Sequence, residues 1–288
     1  MIDRLEMFIA LARERHFGRA AEAIGVTQPS LSSAIRQLED QLGVQLVFRG
    51  SRFQGLTPEG ERVLDWARRI VGDARAMREE MRAAKSGLSG TLRIGVIPTA
   101  LPMVADLTVP FTARHPNVRI SVLSRTATDI LSGVESLELD AGITYLDEAA
   151  GRLTRLPLYV ETYRMLCRAD APLAGRAAIR WSDLRDQPLC LLTGDMQNRR
   201  IVDRHLAEAG GAPLPAVEAN STIVLTSHVK TGRWVSIVPA RLADFFLPDA
   251  DLVSIPILPE VGHPVGLIAL HREPHTPILS ALLDVAGR

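Results

Sequence analysis

The sequence predicts an α/β protein in three parts: a small helical head ending in a hairpin, one long helix, and a two-lobed body of alternating strands and helices. Three observations carry this. Residues 17–49 read as two short helices about a tight turn, followed by period-two alternation. After Pro58 a single helical pattern runs to residue 85 without a further proline. From Leu92 onward, strand and helix patterns alternate in the order β-α-β-α-β. A chain of 288 residues has room for a small domain and a larger one, each with its own core.

In the head, Asp3 and Glu6 have capping-box spacing, and Leu5, Phe8, Ile9 and Ala12 form the apolar face of a first helix. The next helix spans 19–24. Its small Ala20 and Ala21 admit close approach of another helix, and Gly25 stops it where positive φ costs nothing. Thr27 or Gln28 caps a third helix with Pro29 in its first turn. Leu31, Ile35, Leu38 and Leu42 make one buried stripe. At about 100° per residue the opposite side presents Pro29, Ser33 and Arg36, flanked by Ser32 and, at the tip, Gln28. Arg36 is the only charge between Gly25 and Leu38. Gln and Arg can pair bidentately with base edges, serines bond phosphates or bases, and free N–H groups attract phosphate, so this face suits a DNA major groove. The bland alternative is an amphipathic helix pair whose polar face meets only water.

Val44, Leu46 and Phe48 then alternate, and 50–55 turns, as in the two-stranded wing of a winged helix-turn-helix. Arg49 and Arg52 would lie beside or within the adjacent minor groove, which attracts arginine most where it is narrow. In the long helix, Val63, Ala67, Ile70, Ala74, Met77, Met81 and Ala84 recur at alternating steps of four and three. Charged residues from Arg68 to Arg82 point outward. A seam this long and narrow between two domains predicts pairing with a second copy rather than packing on its own domain alone. Its Ala and Met residues favour close, adaptable packing. A glycine-serine hinge at 86–90 ends the linker.

The body opens with a strand carrying Leu92, Ile94 and Val96, a turn at Pro98-Thr99-Ala100, and a helix with Leu101, Val104, Leu107 and Phe111 inward. Val118, Ile120 and Val122 make the next strand, Ile130 to Leu137 the next helix, and 141–144 another strand. Such a run implies a parallel sheet whose ligand crevice lies beyond the strand C-termini. Near 159–168 the chain crosses to a second lobe, with a strand at 189–192 and a helix near 199–209, then returns near 266–270 to end in a helix at 278–286.

Charge is balanced, 33 basic against 33 acidic residues. The first 57 residues hold seven arginines and six acids, and seven minus six gives +1, too little to announce nucleic acid by itself. No export signal opens the chain and no apolar run reaches membrane-spanning length, so a cytoplasmic protein with reduced Cys167 and Cys190 and no membrane partner is expected.

His16-Phe17-Gly18-Arg19-Ala20-Ala21, Gln28-Pro29-Ser30-Leu31-Ser32, Ile35, Leu38-Glu39, Leu42-Gly43, Leu46, Arg49 and Leu56-Thr57-Pro58-Glu59-Gly60 resemble the N-terminal domain of LysR-type transcriptional regulators. The resemblance is dense over the head and looser downstream. Two departures stand in the wing: the family usually has Phe at Val47 and a polar residue at Phe48. A third is Trp234, where the family's Gly-x-Gly would place its second glycine. It implies a winged helix-turn-helix at 1–58, a dimerisation helix and hinge at 59–90, and an effector domain of periplasmic-binding-protein type at 91–288. Lobe I would comprise 91–161 and 267–288, and lobe II 162–266. The family further implies a homodimer through the linker helix, a homotetramer through the effector domains, and RNA polymerase as a further partner.

A small ligand between the lobes would meet hydroxyls and N–H groups at strand-to-helix turns. Thr99 with Ala100, Thr126, Thr128, Tyr145 and Thr193 occupy such turns, and Thr99 and Thr128 match the family's pocket positions. Threonines there are also ordinary helix caps. Hydroxyls at helix N-termini suit a carboxylate or other small anion, and no cofactor is called for. Arg125 and Arg199 are candidate clamps. His271 and His275 have i, i+4 spacing, but Pro274 interrupts the helix that would join them, so no metal site is expected. No nucleophile elbow, phosphate loop or paired catalytic carboxylate is present, which leaves an enzyme with an accessory head, or a solute-binding protein, as the weaker readings. The expected function is sequence-specific DNA binding for transcriptional regulation, modulated by a small-molecule effector held between the lobes.

Overall fold

In the computed structural model, residues 1–48, 53–147, 153–211, 214–247 and 251–287 are described. The head packs α1 (Ile2–Glu14), α2 (Phe17–Ala23) and α3 (Gln28–Leu42) around Leu5, Phe8, Leu11, Leu31, Ile35 and Leu38. Ala20 and Ala21 are buried where α2 meets its neighbours, as their size requires. Three local expectations differ from what forms. The Asp3/Glu6 capping box is absent: α1 starts on Met1 without a side-chain cap, and Glu6 instead lies 3.6 Å from Arg75. α2 begins earlier than residue 19, because the His16 imidazole accepts from the Gly18 and Arg19 N–H groups. Leu42 is exposed, since the last turn of α3 runs beyond the helices that support it. The wing narrows to one antiparallel bridge, Val47 opposite Leu56, with the Phe48 N–H donating to the Gly55 carbonyl.

Helix α4 (Pro58–Ser86) starts where Thr57 accepts from the Gly60 N–H and donates to the Gln45 carbonyl, tying helix to wing. A Cβ at Gly60 would overlap the Leu46 carbonyl oxygen, so only glycine permits this approach. Leu64, Ala67 and Val71 face inward onto the head core, while Trp66, Ile70, Met77 and Met81 are exposed. Ala67 therefore belongs to the head, and Trp66 joins the open stripe in its place.

The body begins with β1 (Gly90–Val96), a 3₁₀ turn (Pro98–Met103), α5 (Val104–Arg114), β2 (Val118–Ser124), α6 (Ala127–Glu135), β3 (Ala141–Tyr145) and β4 (Leu153–Glu161). After the crossing come β5 (Tyr163–Arg168), β6 (Ile179–Arg180), a 3₁₀ turn (Trp181–Leu184), β7 (Cys190–Leu192), α7 (Gln197–Glu208), β8 (Val217–Ala219), α8 (Thr222–Lys230), β9 (Ser236–Pro239), α9 (Ala240–Phe246) and β10 (Leu252–Leu258). The chain returns through β11 (His263–Leu270) and ends on α10 (Pro277–Ala286). Lobe I is one sheet ordered β2-β1-β3-β11-β4, with β1, β2 and β3 parallel and β11 antiparallel to both its neighbours. Lobe II holds the sheet β6-β10-β5-β9 and the pair β7-β8, linked by a bridge between Leu189 and Val235.

The return to lobe I comes at His263, earlier than residue 267. The apolar run marks only the middle of β11; backbone pairing extends it through His263 and Pro264 against Glu161 and Val160. The two inter-lobe crossings consequently lie side by side. Lobe I also touches the head and α4 directly. Arg13 pairs with Glu138 at 3.0 Å, Arg75 donates to the Leu137 carbonyl at 2.7 Å, and Arg272 donates to the Gly72 carbonyl at 2.8 Å.

Candidate nucleic-acid interface and inter-lobe crevice

Thr27 fixes the start of α3 by accepting from the Ser30 N–H at 3.3 Å. With Leu31, Ile35 and Leu38 held inside, Gln28, Pro29, Ser33 and Arg36 are all exposed, and Ser32 is half-buried on their flank. The five sequence-selected residues of this helix form one open ridge at its N-terminal end. Ser30 is exposed beside them, its hydroxyl 2.8 Å from that of Thr27. Arg49 and Arg52, the two wing arginines, lie outside the described residues.

The effector candidates divide. Thr99 and Ala100 are buried in the 3₁₀ turn after β1, and the Thr99 hydroxyl has no hydrogen-bond partner. Thr193, in the turn before α7, likewise has a buried hydroxyl without a partner. Helix α7 starts at Met196 with no side-chain cap, which leaves its first-turn N–H groups uncapped by any side chain. Thr126 is consumed as the cap of α6, accepting from the Asp129 N–H at 3.1 Å and donating to its carboxylate at 2.8 Å. Thr128 is exposed on the head-facing side of α6, where it lines a cleft of about 850 Å³ with Arg13, Phe53 and Arg68. Neither candidate arginine is a free clamp. Arg199 is tied to Asp203 at 2.7 Å, Glu218 at 2.5 Å and the Leu192 carbonyl at 2.7 Å, while Arg125 is exposed beside the Ser124 carbonyl.

Tyr145 is buried inside a polar cluster that the sequence did not disclose. Its hydroxyl donates to Glu161 and lies 3.2 Å from the Tyr163 hydroxyl; the Asn198 amide stands 3.4 Å from both phenols. Beside them the His205 and His263 Nε2 atoms are 3.1 Å apart, and Trp181 stacks on His205 with centroids 4.8 Å apart. Burial pushes the Glu161 carboxyl up to about 8, against the opposing bond from Tyr145. It also raises Tyr145 and Tyr163, with Glu161 adding to both. His263 is lowered by burial and by His205, against the pull of Asp147. Glu161 is the one acid of β4 and its one fully buried residue, which only the fold reveals.

Cys167 and Cys190 are free thiols, both buried, and burial pushes each up to about 11. Trp234 packs on the second-lobe cluster, with the Arg233 guanidinium 4.6 Å from its ring centroid. No cluster of three or more metal-ligating side chains occurs among the described residues, and no helix there is long and apolar enough to cross a membrane.

Comparison with known proteins accounts for both ends of this architecture. Residues 2–61 match the bacterial regulatory helix-turn-helix protein, lysR family, and residues 85–288 match the LysR substrate binding domain. The DNA-binding transcriptional dual regulator OxyR of Escherichia coli is 30% identical over 287 residues, covering 99% of this chain and 93% of the relative. A probable hydrogen peroxide-inducible genes activator of Streptomyces viridosporus is 32% identical over 83% of the chain and 77% of its own length. Among solved structures, a full-length OxyR variant from Pseudomonas aeruginosa aligns with TM-score 0.75 at 27% identity, over 100% of this chain and 97% of that one. Full-length CbnR with its target DNA has the same fold, at TM-score 0.60 and 24% identity over 99% and 98%. The chain belongs to the LysR family: it is a DNA-binding transcriptional regulator with an effector-binding domain, and not an enzyme.

Proposed function

We propose that Gln28, Pro29, Ser33 and Arg36, flanked by Ser32, read base edges in a major groove of double-stranded DNA, with Arg49 and Arg52 of the wing on adjacent phosphates or the minor groove. The single observation behind this reading is the open polar ridge at the capped start of α3, backed by the buried Leu31, Ile35 and Leu38. The exposed Trp66, Ile70, Met77 and Met81 stripe of α4 supports a second copy as its cover, giving a homodimer. Contacts between effector domains would complete a homotetramer whose heads reach successive grooves. RNA polymerase is a further partner on this reading, and the cytoplasm is where all three would meet.

The effector is a small molecule held between Thr99 and Thr193. Their hydroxyls, which have no hydrogen-bond partner, and the α7 N-terminus, which no side chain caps, favour a carboxylate or other small anion. Tyr145 spends its hydroxyl on Glu161. Thr126 and Thr128 are left out of this site.

The peroxide response named for the relatives is a second reading. A thiol that reacts with peroxide needs thiolate character and access, and neither cysteine has them. A gel shift with the region upstream of the chain's own gene tests the first proposal: a discrete complex resisting random competitor DNA supports it, and equal competition sinks it. A thermal-shift screen of small carboxylates tests the second; stabilisation that persists in Thr99→Ala and Thr193→Ala would place the ligand elsewhere.

A further inference from the structure

The two crossings between lobes are a direct register pair, Glu161 at the end of β4 opposite His263 at the start of β11. Within lobe I the Tyr145 hydroxyl donates to Glu161, and the contacts next to that bond join one lobe to the other. Tyr145 of lobe I meets Tyr163 and Asn198 of lobe II, and His263 of lobe I meets His205 of lobe II. We propose that this joint is proton-coupled: the packed arrangement requires Glu161 as the neutral acid and a single proton between His205 and His263, so pH biases how the lobes sit against each other.

The chemistry of each half is asymmetric. Glu161 is 2% exposed, receives one phenol hydrogen bond, and leaves its other oxygen unpartnered. The groups facing it are the phenols of Tyr145 on β3, Tyr163 on β5 and Tyr159 on its own strand, with the Arg241 guanidinium 4.5 Å from the Tyr159 ring centroid; no ion pair to Glu161 occurs among the described residues. An ionised carboxylate there would stand uncompensated. Its ordinary value near 4.5 rises to about 8 in the packed joint, so packing takes up a proton between those limits. The packed form therefore loses ground as pH rises through that window, on the order of tenfold per pH unit.

The imidazole pair works in the other direction. Two Nε2 atoms 3.1 Å apart share a hydrogen bond only if one of them is unprotonated. Around the pair stand Glu208 at 3.5 Å from His205, Asp147 at 3.8 Å from His263, Arg204 on α7, and the rings of Trp181, Tyr145 and Tyr163. Adding the second proton puts two cations in contact and removes the bond. Acid thus opposes packing through the histidines, and alkali opposes it through Glu161. The inference does not depend on any effector binding nearby.

Trp181 is a built-in reporter, 6% exposed and stacked on His205. In the full chain carrying Trp66→Phe and Trp234→Phe, its emission should shift to the red as pH rises through the window that ends near 8. Glu161→Gln keeps the shape, removes the titration and should abolish that step. His263→Gln should retain it while removing the loss of packing on the acid side. Circular dichroism across the range confirms that the chain stays folded. An alkaline step unchanged in Glu161→Gln would overturn the proposal, as would a reporter flat from pH 5 to 9 in the unsubstituted joint.

Discussion

Arg36 and Gln28 are useful because no side-chain hydrogen bond or ion pair holds them among the described residues. Both are exposed, and the ridge they share carries no carboxylate. A bidentate contact to a base is worth about 1–3 kcal/mol of discrimination. Gln28→Ala and Arg36→Ala should each lose specific binding by roughly that amount while binding to random DNA changes little, as competition gel shifts would read. Equal loss on both DNAs would assign these side chains to phosphate. Gly60 is constrained differently, since any Cβ meets the Leu46 carbonyl. Gly60→Ala should destabilise the head by about 1–3 kcal/mol through overpacking, visible as a lower urea midpoint with little change in slope. The thiols offer a third check. With both buried and raised to about 11, Cys167 and Cys190 should react with a thiol reagent only as fast as the protein unfolds.

At the level of elements, periodicity located α3, α4 and the strands of lobe I, because each buries one regular face. It failed where a contact, not a pattern, decides. Ala67 fits the heptad seam by spacing, yet α1 packs against α4 over that turn and takes it into the head. Trp66 is off the expected seam but exposed next to it, with Arg69 stacked 5.1 Å from its ring centroid. Thr126 and Thr128 looked alike as turn hydroxyls; only the orientation of α6 separates the cap from the cleft-facing residue. The Tyr145–Glu161–His263 joint was invisible for a stronger reason: its members are 16 or more positions apart and meet only through sheet pairing. For α4 the open stripe carries its own test. Met77→Glu with Met81→Glu should leave the helix intact and shift sedimentation toward the monomer; an unchanged sedimentation coefficient would move the dimer contact elsewhere.

On the scale of the whole molecule, lobe I is fastened to the head through Arg13 and to α4 through Arg75 and Arg272. Leu137 is part of that seat. It holds a left-handed backbone at φ 61° without being glycine, and its side chain rests on the head core. The 29 residues of α4 span about 43 Å at about 1.5 Å per residue. A body riveted along such a beam acts as a crank: turning it by about 5° about the far end sweeps the reading edge through roughly 3.8 Å, close to one base-pair step. Small rearrangements deep in the body would thereby reach the double helix as a change of phase along its axis.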